Sequence, residues 1–411
     1  MRRSLATVVA VVVLVLVGDL TVGASTASTP MATNGVTKDE IKIGITYPDL
    51  EAIRSVTNTN HGDYEKSYRA VIDDLNKRGG INGRKVVPVF AAINPLGTAP
   101  AQEACIKLTE DQKVFAAMSF FNADAPLCFV QSHDTPILGG QTTATNLGHA
   151  KAPWTTLESG AELGPRQIDA LVKAGALKGK LGMVAIADEE QSQLKDVVLP
   201  ALKQHKLTGT TAIIDAPSSD PVLNVQQATT IMERFKSDGV KTVLLVGGAV
   251  TAVVSALSKS DYRPKLAATN ARNLASTASN PSTDPTVVKT AIAADAGFIF
   301  SDPALKKCFG IIEKATGNKI VENVPQGQPQ HRVSAQTACE YISLFTTLAK
   351  AAGNNPTVDS LGKAIDTTRT VNVTGLGTMT YDPKSHTYSL PMFLYRYDPS
   401  LKRLVAEQQI T

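Results

Sequence analysis

Four cysteines, six histidines and one run of three acids are the side chains of this 411-residue chain best suited to chemistry. The histidines, at positions 61, 133, 149, 205, 331 and 386, share no partner spacing. Nucleophilic catalysis needs a base beside its nucleophile, and the usual local frames for that are missing. There is no G-x-S-x-G elbow, no H-E-x-x-H and no G-x-x-x-x-G-K-[ST]. The cysteines, Cys105, Cys128, Cys308 and Cys339, form no C-x-x-C and no paired Cys/His spacing, which argues against zinc. The acids Asp188-Glu189-Glu190 could hold a cation, but three acids opening a helix more often lie in solvent and balance its dipole. A different chemistry fits two polar segments. Ser119-Phe120-Phe121-Asn122 and Gly139-Gly140-Gln141-Thr142-Thr143 each follow a hydrophobic run. Small and hydroxyl-bearing residues there let backbone N–H groups approach a ligand carboxylate, and a helix start adds its dipole. That is binding chemistry, with no bond broken.

The elements that must position these segments alternate along the chain. Ile41 to Thr46 reads as a strand. In the helical stretch that follows, Tyr64, Tyr68, Val71, Ile72 and Leu75 fall on one face. Arg78-Gly79-Gly80 ends that helix, Asn82-Gly83 turns, and Lys85 to Phe90 is the next strand. The rhythm repeats through strands at 114–118, 136–138, 181–186, 211–214, 242–246 and 265–268. Helical stretches Pro303 to Thr316, Arg332 to Ala352 and Val358 to Ile365 follow, and Met379–Asp382 with Tyr388–Tyr397 reads as a hairpin. About ten strands in this alternation predict α/β architecture: two Rossmann-like units of mainly parallel sheet covered by helices.

Composition agrees with a globular chain, at 43% hydrophobic and 19% charged. Lys+Arg at 41 against Asp+Glu at 37, with no long like-charge run, disfavours nucleic-acid binding. Residues 1–24 read as a signal peptide: Arg2 and Arg3, an apolar run from Leu5 to Val17, then Val22-Gly23-Ala24. The run is too short to span a bilayer, and no cysteine lies near the cut to carry a lipid anchor. Residues 25–37 read as a flexible leader. An exported, soluble protein without stable membrane insertion follows, in the periplasm, envelope or outside. Export favours disulfides, and of three connectivities the sequential pairs Cys105–Cys128 and Cys308–Cys339 are preferred because each joins neighbouring helices.

The helix ending in Asn76-Lys77-Arg78-Gly79-Gly80-Ile81-Asn82-Gly83-Arg84, just after the first strand, resembles the type I periplasmic binding proteins of the branched-chain amino acid group. Thr135-Pro136-Ile137-Leu138, Val243 to Gly248, Gly375 to Pro383 and Tyr395-Arg396-Tyr397-Asp398-Pro399 fit the same order. The resemblance implies two lobes joined by three crossovers near 157, 300 and 375: lobe 1 from 38–157 plus 301–374, lobe 2 from 158–300 plus 375–411. It implies a monomer that captures an amino acid, amide or related solute between the lobes and hands it to an ABC permease. No cofactor or metal is implied. A sensor of the same fold is the alternative, and an exported hydrolase a more remote one. Carried over residue by residue, the ligand carboxylate falls to Ser119, Asn122, Gln141, Thr142 and Thr143. Tyr47 and the stretch Asn60-His61-Gly62-Asp63 line the entrance, and Asp188, Gly248 and Asn270 face the ligand from lobe 2. The chain departs from the amino-acid binders there. Ala249 and Val250 follow Gly247-Gly248 where an aromatic is expected, and Thr269-Asn270-Ala271-Arg272 carries no carboxylate for an ammonium. Trp154, near the first crossover, is expected to pack in the core.

Overall fold

The computed structural model describes residues 33–54, 59–122, 124–140, 147–158, 160–187, 189–215, 220–322, 324 and 328–410. The expected signal segment lies outside them. The first stretch runs β1 (Glu40–Pro48), α1 (Tyr64–Lys77), β2 (Lys85–Ile93), α2 (Ala99–Ile106), β3 (Ala116–Ser119), α3 (Ala125–Leu127), β4 (Ile137–Gly139) and β5 (Trp154–Leu157). The second runs α4 (Gly160–Lys173), β6 (Leu181–Ile186), α5 (Glu189–Gln193), α6 (Leu199–Gln204), β7 (Gly209–Ile214), α7 (Pro221–Ser237), β8 (Thr242–Leu245), α8 (Ala249–Leu257), β9 (Lys265–Ala268), α9 (Ala271–Ala278), α10 (Pro285–Val288) and β10 (Ile292–Ala296). The last runs α11 (Pro303–Thr316), α12 (His331–Ala351), α13 (Val358–Thr367), β11 (Thr370–Val373), β12 (Gly377–Asp382), β13 (Thr387–Tyr388), β14 (Met392–Asp398) and β15 (Arg403–Ile410).

These strands form two sheets. The first has the order β11-β12-β13-β5-β4-β3-β1-β2, and the second β15-β14-β10-β9-β8-β6-β7. The β1–β5 core of the first sheet is parallel, and so is β6–β10 of the second; the antiparallel pairs lie at the β11–β13 and β14–β15 edges. Helices on both faces explain why central strands read as unbroken apolar runs: every residue of β3 and of β8 is buried. All five face residues of α1 foretold by periodicity are buried, and the Asp63 carboxylate caps the helix by accepting from Lys66 N–H at 2.9 Å. Burying a side chain such as Ile72 or Leu75 contributes roughly 1.5–3 kcal/mol. The turn after α1 requires glycine at Gly80, where φ is +66° and a Cβ would stand 1.9 Å from the Arg84 carbonyl oxygen.

Both sequential disulfides are formed. Cys105–Cys128 joins α2 to the turn after α3, with Cα atoms 6.3 Å apart, and Cys308–Cys339 joins α11 to α12 at 6.1 Å. Each stabilises by about 3–4 kcal/mol on a loop-entropy account. His133 lies beside the first pair, but both of those sulfurs are spent in the bond.

The chain passes between the sheets beside Glu158, Gly297 and Leu390. The Glu158 carboxylate accepts from Leu390 N–H at 2.9 Å and from Arg166, which also donates to Leu390 O at 2.9 Å. Gly297 N–H donates to Pro391 O at 3.1 Å. The third passage therefore differs from the expected one near 375. Residues 377–388, assigned from sequence to lobe 2, pair in the first sheet, because β13 lies parallel against β5. The supposed single strand 388–397 is broken at Pro391, which has no N–H for a ladder. Two further differences stand out. β10 and α9 have no counterpart in the sequence reading, and residues 33–37 of the expected leader fold back on β1, with Lys42 N–H donating to Gly35 O at 2.7 Å. Trp154 is buried and stacks on His386 at 4.5 Å, as a core residue does.

Candidate functional site

In sheets of this kind ligands sit at the carboxyl ends of the strands. On the first sheet those ends are Tyr47, Ser119 and Gly139. Ser119 closes β3 with φ +92° and pairs in register with Gly139; its buried Oγ faces the Tyr68 phenol but has no partner within 3.5 Å among the described residues. Gly139 has φ +110°, and a Cβ there would stand 2.6 Å from the Tyr341 ring, so only glycine lets α12 lie this close. Asn122 donates to Pro95 O at 3.3 Å while its Oδ1 is buried and unpartnered. Tyr47 stacks on Tyr64 at 5.5 Å and donates to Glu65 Oε1 at 2.8 Å. The entrance loop docks on the start of α12: Gln330 N–H donates to Asn60 O at 2.6 Å and Ser334 N–H to His61 O at 3.2 Å. Gln141, Thr142 and Thr143 lie outside the described residues.

Sequence reasoning missed α12 as part of this wall. Arg332, Gln336 and Glu340 follow one another at four-residue intervals, on one helix face. Arg332 Nε and Gln336 Nε2 are buried without acceptors. The Arg332 guanidinium lies 5.3 Å from the Phe300 ring centre. Burial, and then the positive charge of Arg272, lower the proton affinity of both Arg332 and His61. Glu340 is 5% exposed, and burial pushes its carboxyl up to about 8. The available signal was polar residues at i, i+4 and i+8 on a long helix, a pattern that reads as a solvent face until the helix is placed.

The second sheet presents a different wall. Asp188 lies outside the described residues. Gly248 N–H is taken by Glu190 Oε1 at 2.5 Å, and Glu190 Oε2 also accepts from Ile186 N–H at 3.1 Å. The acidic run thus supplies a clasp for the Gly247-Gly248 turn through Glu190, in place of the solvent-facing role expected of it. Asn270 Oδ1 caps α9 by accepting from Asn273 N–H at 2.9 Å. The Asp295 carboxylate accepts from Ala271 N–H at 2.8 Å, Ala296 N–H at 2.9 Å and Gln167 Nε2 at 3.3 Å, yet burial still raises its pKa. Arg272, exposed in the first turn of α9, makes no ion pair among the described residues. The geometry thus brings Ser119 and Gly139 beside α12, with Asn122 turned to Pro95, while Gly248 and Asn270 are already engaged on the second sheet.

This arrangement can hold a solute by hydrogen bonds and charge. Among the described residues no helix is long and apolar enough to cross a membrane. Among curated proteins no sequence matches the chain. Solved structures match in fold. An ABC transporter substrate-binding protein from Desulfitobacterium hafniense in complex with Leu gives a TM-score of 0.64 at 11% identity, over 90% of this chain and 100% of that one. The leucine-, isoleucine-, valine-, threonine- and alanine-binding protein from Brucella ovis, in a closed conformation, gives 0.63 at 12%, over 91% and 95%. A fatty acid ABC transporter substrate-binding protein from Thermomonospora curvata gives 0.59 at 16%, over 92% and 94%. The profile of the periplasmic binding protein family matches residues 40–402, and the chain belongs to that family.

Proposed function

We propose that this protein is an exported receptor that captures a small organic solute between its two sheets, closes on it by a hinge motion and delivers it to an ABC permease. One observation carries the reading. Ser119 Oγ and Asn122 Oδ1, at and just past the end of β3, and Arg332 Nε and Gln336 Nε2, on α12, are buried without partners within 3.5 Å among the described residues. Buried polar atoms are ordinarily satisfied, and a bound solute would satisfy these. The lobes are 38–157 with 301–388, and 158–300 with 392–411. The segment Gln141-Thr142-Thr143 completes the first wall, and Asp188, Gly248 and Asn270 border the second. A solute touching both walls favours the closed state over the open one. The protein works as a monomer, without turnover, and residues 1–24 are removed on export.

A thermal-shift screen of amino acids, amides, small carboxylates and aromatics tests the reading. A ligand raises the melting temperature because it binds the folded chain and not the unfolded one. X-ray scattering on the same sample is expected to show a smaller radius of gyration. Consumption of the ligand over time would reject a binding-only role, and N-terminal sequencing of the secreted chain tests cleavage after Ala24.

A further inference from the structure

The unfilled positions on the first wall share a chemical character. Gln336 is 6% exposed and Ser119 4% exposed. The Gln336 amide and the Arg332 Nε–H can donate and have no acceptor among the described residues, and the Ser119 hydroxyl, set beside the Tyr68 phenol, has none within 3.5 Å. Two arginines, Arg272 and Arg332, share the region with Asp295 and Glu322, all four within electrostatic reach of Tyr395. Arg272 has no ion pair among the described residues, and its charge reaches Arg332 and His61 across the gap between the sheets. Arg332 has its guanidinium over Phe300 and no salt bridge among the described residues. The neighbouring carboxyl groups are largely engaged by N–H donors, and Asp295 also lies in the field of Arg272. Asp295 is held by three N–H donors and Glu190 by two. Glu340, one turn beyond Gln336, is kept uncharged near neutral pH by burial. Glu322, an exposed residue, is the remaining acid whose charge reaches Arg332. Buried donors without acceptors, set beside two arginines, call for a guest rich in acceptors.

We infer that the solute is a carboxylic acid without an ammonium group, its carboxylate held by Arg332, Gln336 and Ser119 on the first wall and by Arg272 from the second. The inference rests on the solute-capture reading and narrows it. An amino acid would bring a cation toward Arg272 and Arg332 while finding both described carboxylates of the second wall already hydrogen-bonded. Phe300, beneath Arg332, offers apolar surface for the body of the acid.

Three matched probes separate the possibilities: 4-methylpentanoate, its primary amide, and L-leucine, which adds an ammonium to the same skeleton. Benzoate and benzamide form a second series. Calorimetric titration of the full mature chain is expected to show an acid binding at least roughly tenfold tighter than its amide, and 4-methylpentanoate tighter than leucine by a similar factor. Arg272→Gln and Arg332→Gln are each expected to weaken acid binding roughly 10- to 100-fold and amide binding by a clearly smaller factor. Arg272 is exposed, so its variant reports on binding even if Arg332→Gln disturbs the fold. Leucine or an amide equalling its acid, or unchanged acid affinity in Arg272→Gln, overturns the charge assignment and leaves solute capture standing. Mass spectrometry of small molecules released from natively purified protein gives a second reading. An amine-free acid supports the inference, and a neutral or amine-bearing solute overturns it. No released molecule, together with no binding of any probe, defeats the capture reading itself.

Discussion

The two walls facing each other across the strand ends use the same fold to opposite effect. On the second, the described polar groups Glu190, Asn270 and Asp295 have partners in the chain and Arg272 is left over: Glu190 clasps the Gly247-Gly248 turn, Asn270 caps α9, and Asp295 gathers three donors. On the first, Ser119, Asn122, Arg332 and Gln336 each leave an atom unsatisfied. Both disulfides lie on the side of the unsatisfied wall, and one of them pins α12, which carries two of the four orphan atoms. Unmet hydrogen bonds cost free energy, and cross-links offset that cost. The difference teaches where recognition resides. The second wall contributes shape, stiffness and the charge of Arg272, whereas the first, with its unmet partners, contributes most of the choice.

Substitutions can break or sharpen this contrast. The largest effect is expected from pH acting on Glu340. Its folded pKa is raised from 4.5 to about 8, so the folded state holds the proton more tightly than the unfolded one. The stability it gives is present below about 4.5 and is lost as pH rises through about 8. Glu340→Gln is expected to remove a loss on the order of 4 kcal/mol across that window, read by denaturant unfolding at each pH. Next, the double variant Cys308→Ala with Cys339→Ala is expected to lose about 3–4 kcal/mol and to weaken ligand binding as well, since it frees α12. Glu190→Ala leaves the N–H groups of Ile186 and Gly248 unpaired and is expected to cost about 2–3 kcal/mol. Asn270→Ala removes a helix cap for about 1 kcal/mol with little change in affinity. Smallest in stability is Ser119→Ala, expected within about 0.5 kcal/mol of wild type by melting, yet measurably weaker for ligand. A Ser119→Ala that unfolds the protein, or an Asn270→Ala that abolishes binding, would reverse the roles given to the two walls.

Much of the architecture was readable from local pattern. The period of Tyr64, Tyr68, Val71, Ile72 and Leu75 and the glycines that end the helix needed no partner to interpret. β10 was not readable, because Ile292-Ala293-Ala294-Asp295-Ala296 has little strand propensity and is held by β9 and β14 on either side. The passage at Ser389–Pro391 was hidden for a related reason: Pro391 was a warning, but the partners that split the strand, Glu158 and β5, lie far away in sequence. The resemblance supplied Ser119 and Asn122. It could not supply Arg332 and Gln336, whose unmet atoms exist only because α12 is laid against the ends of β3 and β4. Gly248 and Asn270 were read as open groups since their engagement with Glu190 and Asn273 depends on side-chain geometry.

The lacing of Glu158, Arg166 and Leu390 at the passages between the sheets has a thermodynamic consequence. All three connecting strips are tied to one another, Glu158 to Leu390 and Gly297 to Pro391, so relative rotation of the halves is restrained. A guest that closes the gap then has little alignment entropy to overcome, because the fastening has already excluded most misaligned approaches. A membrane complex receiving the closed form would meet one well-defined outline in place of a distribution of them.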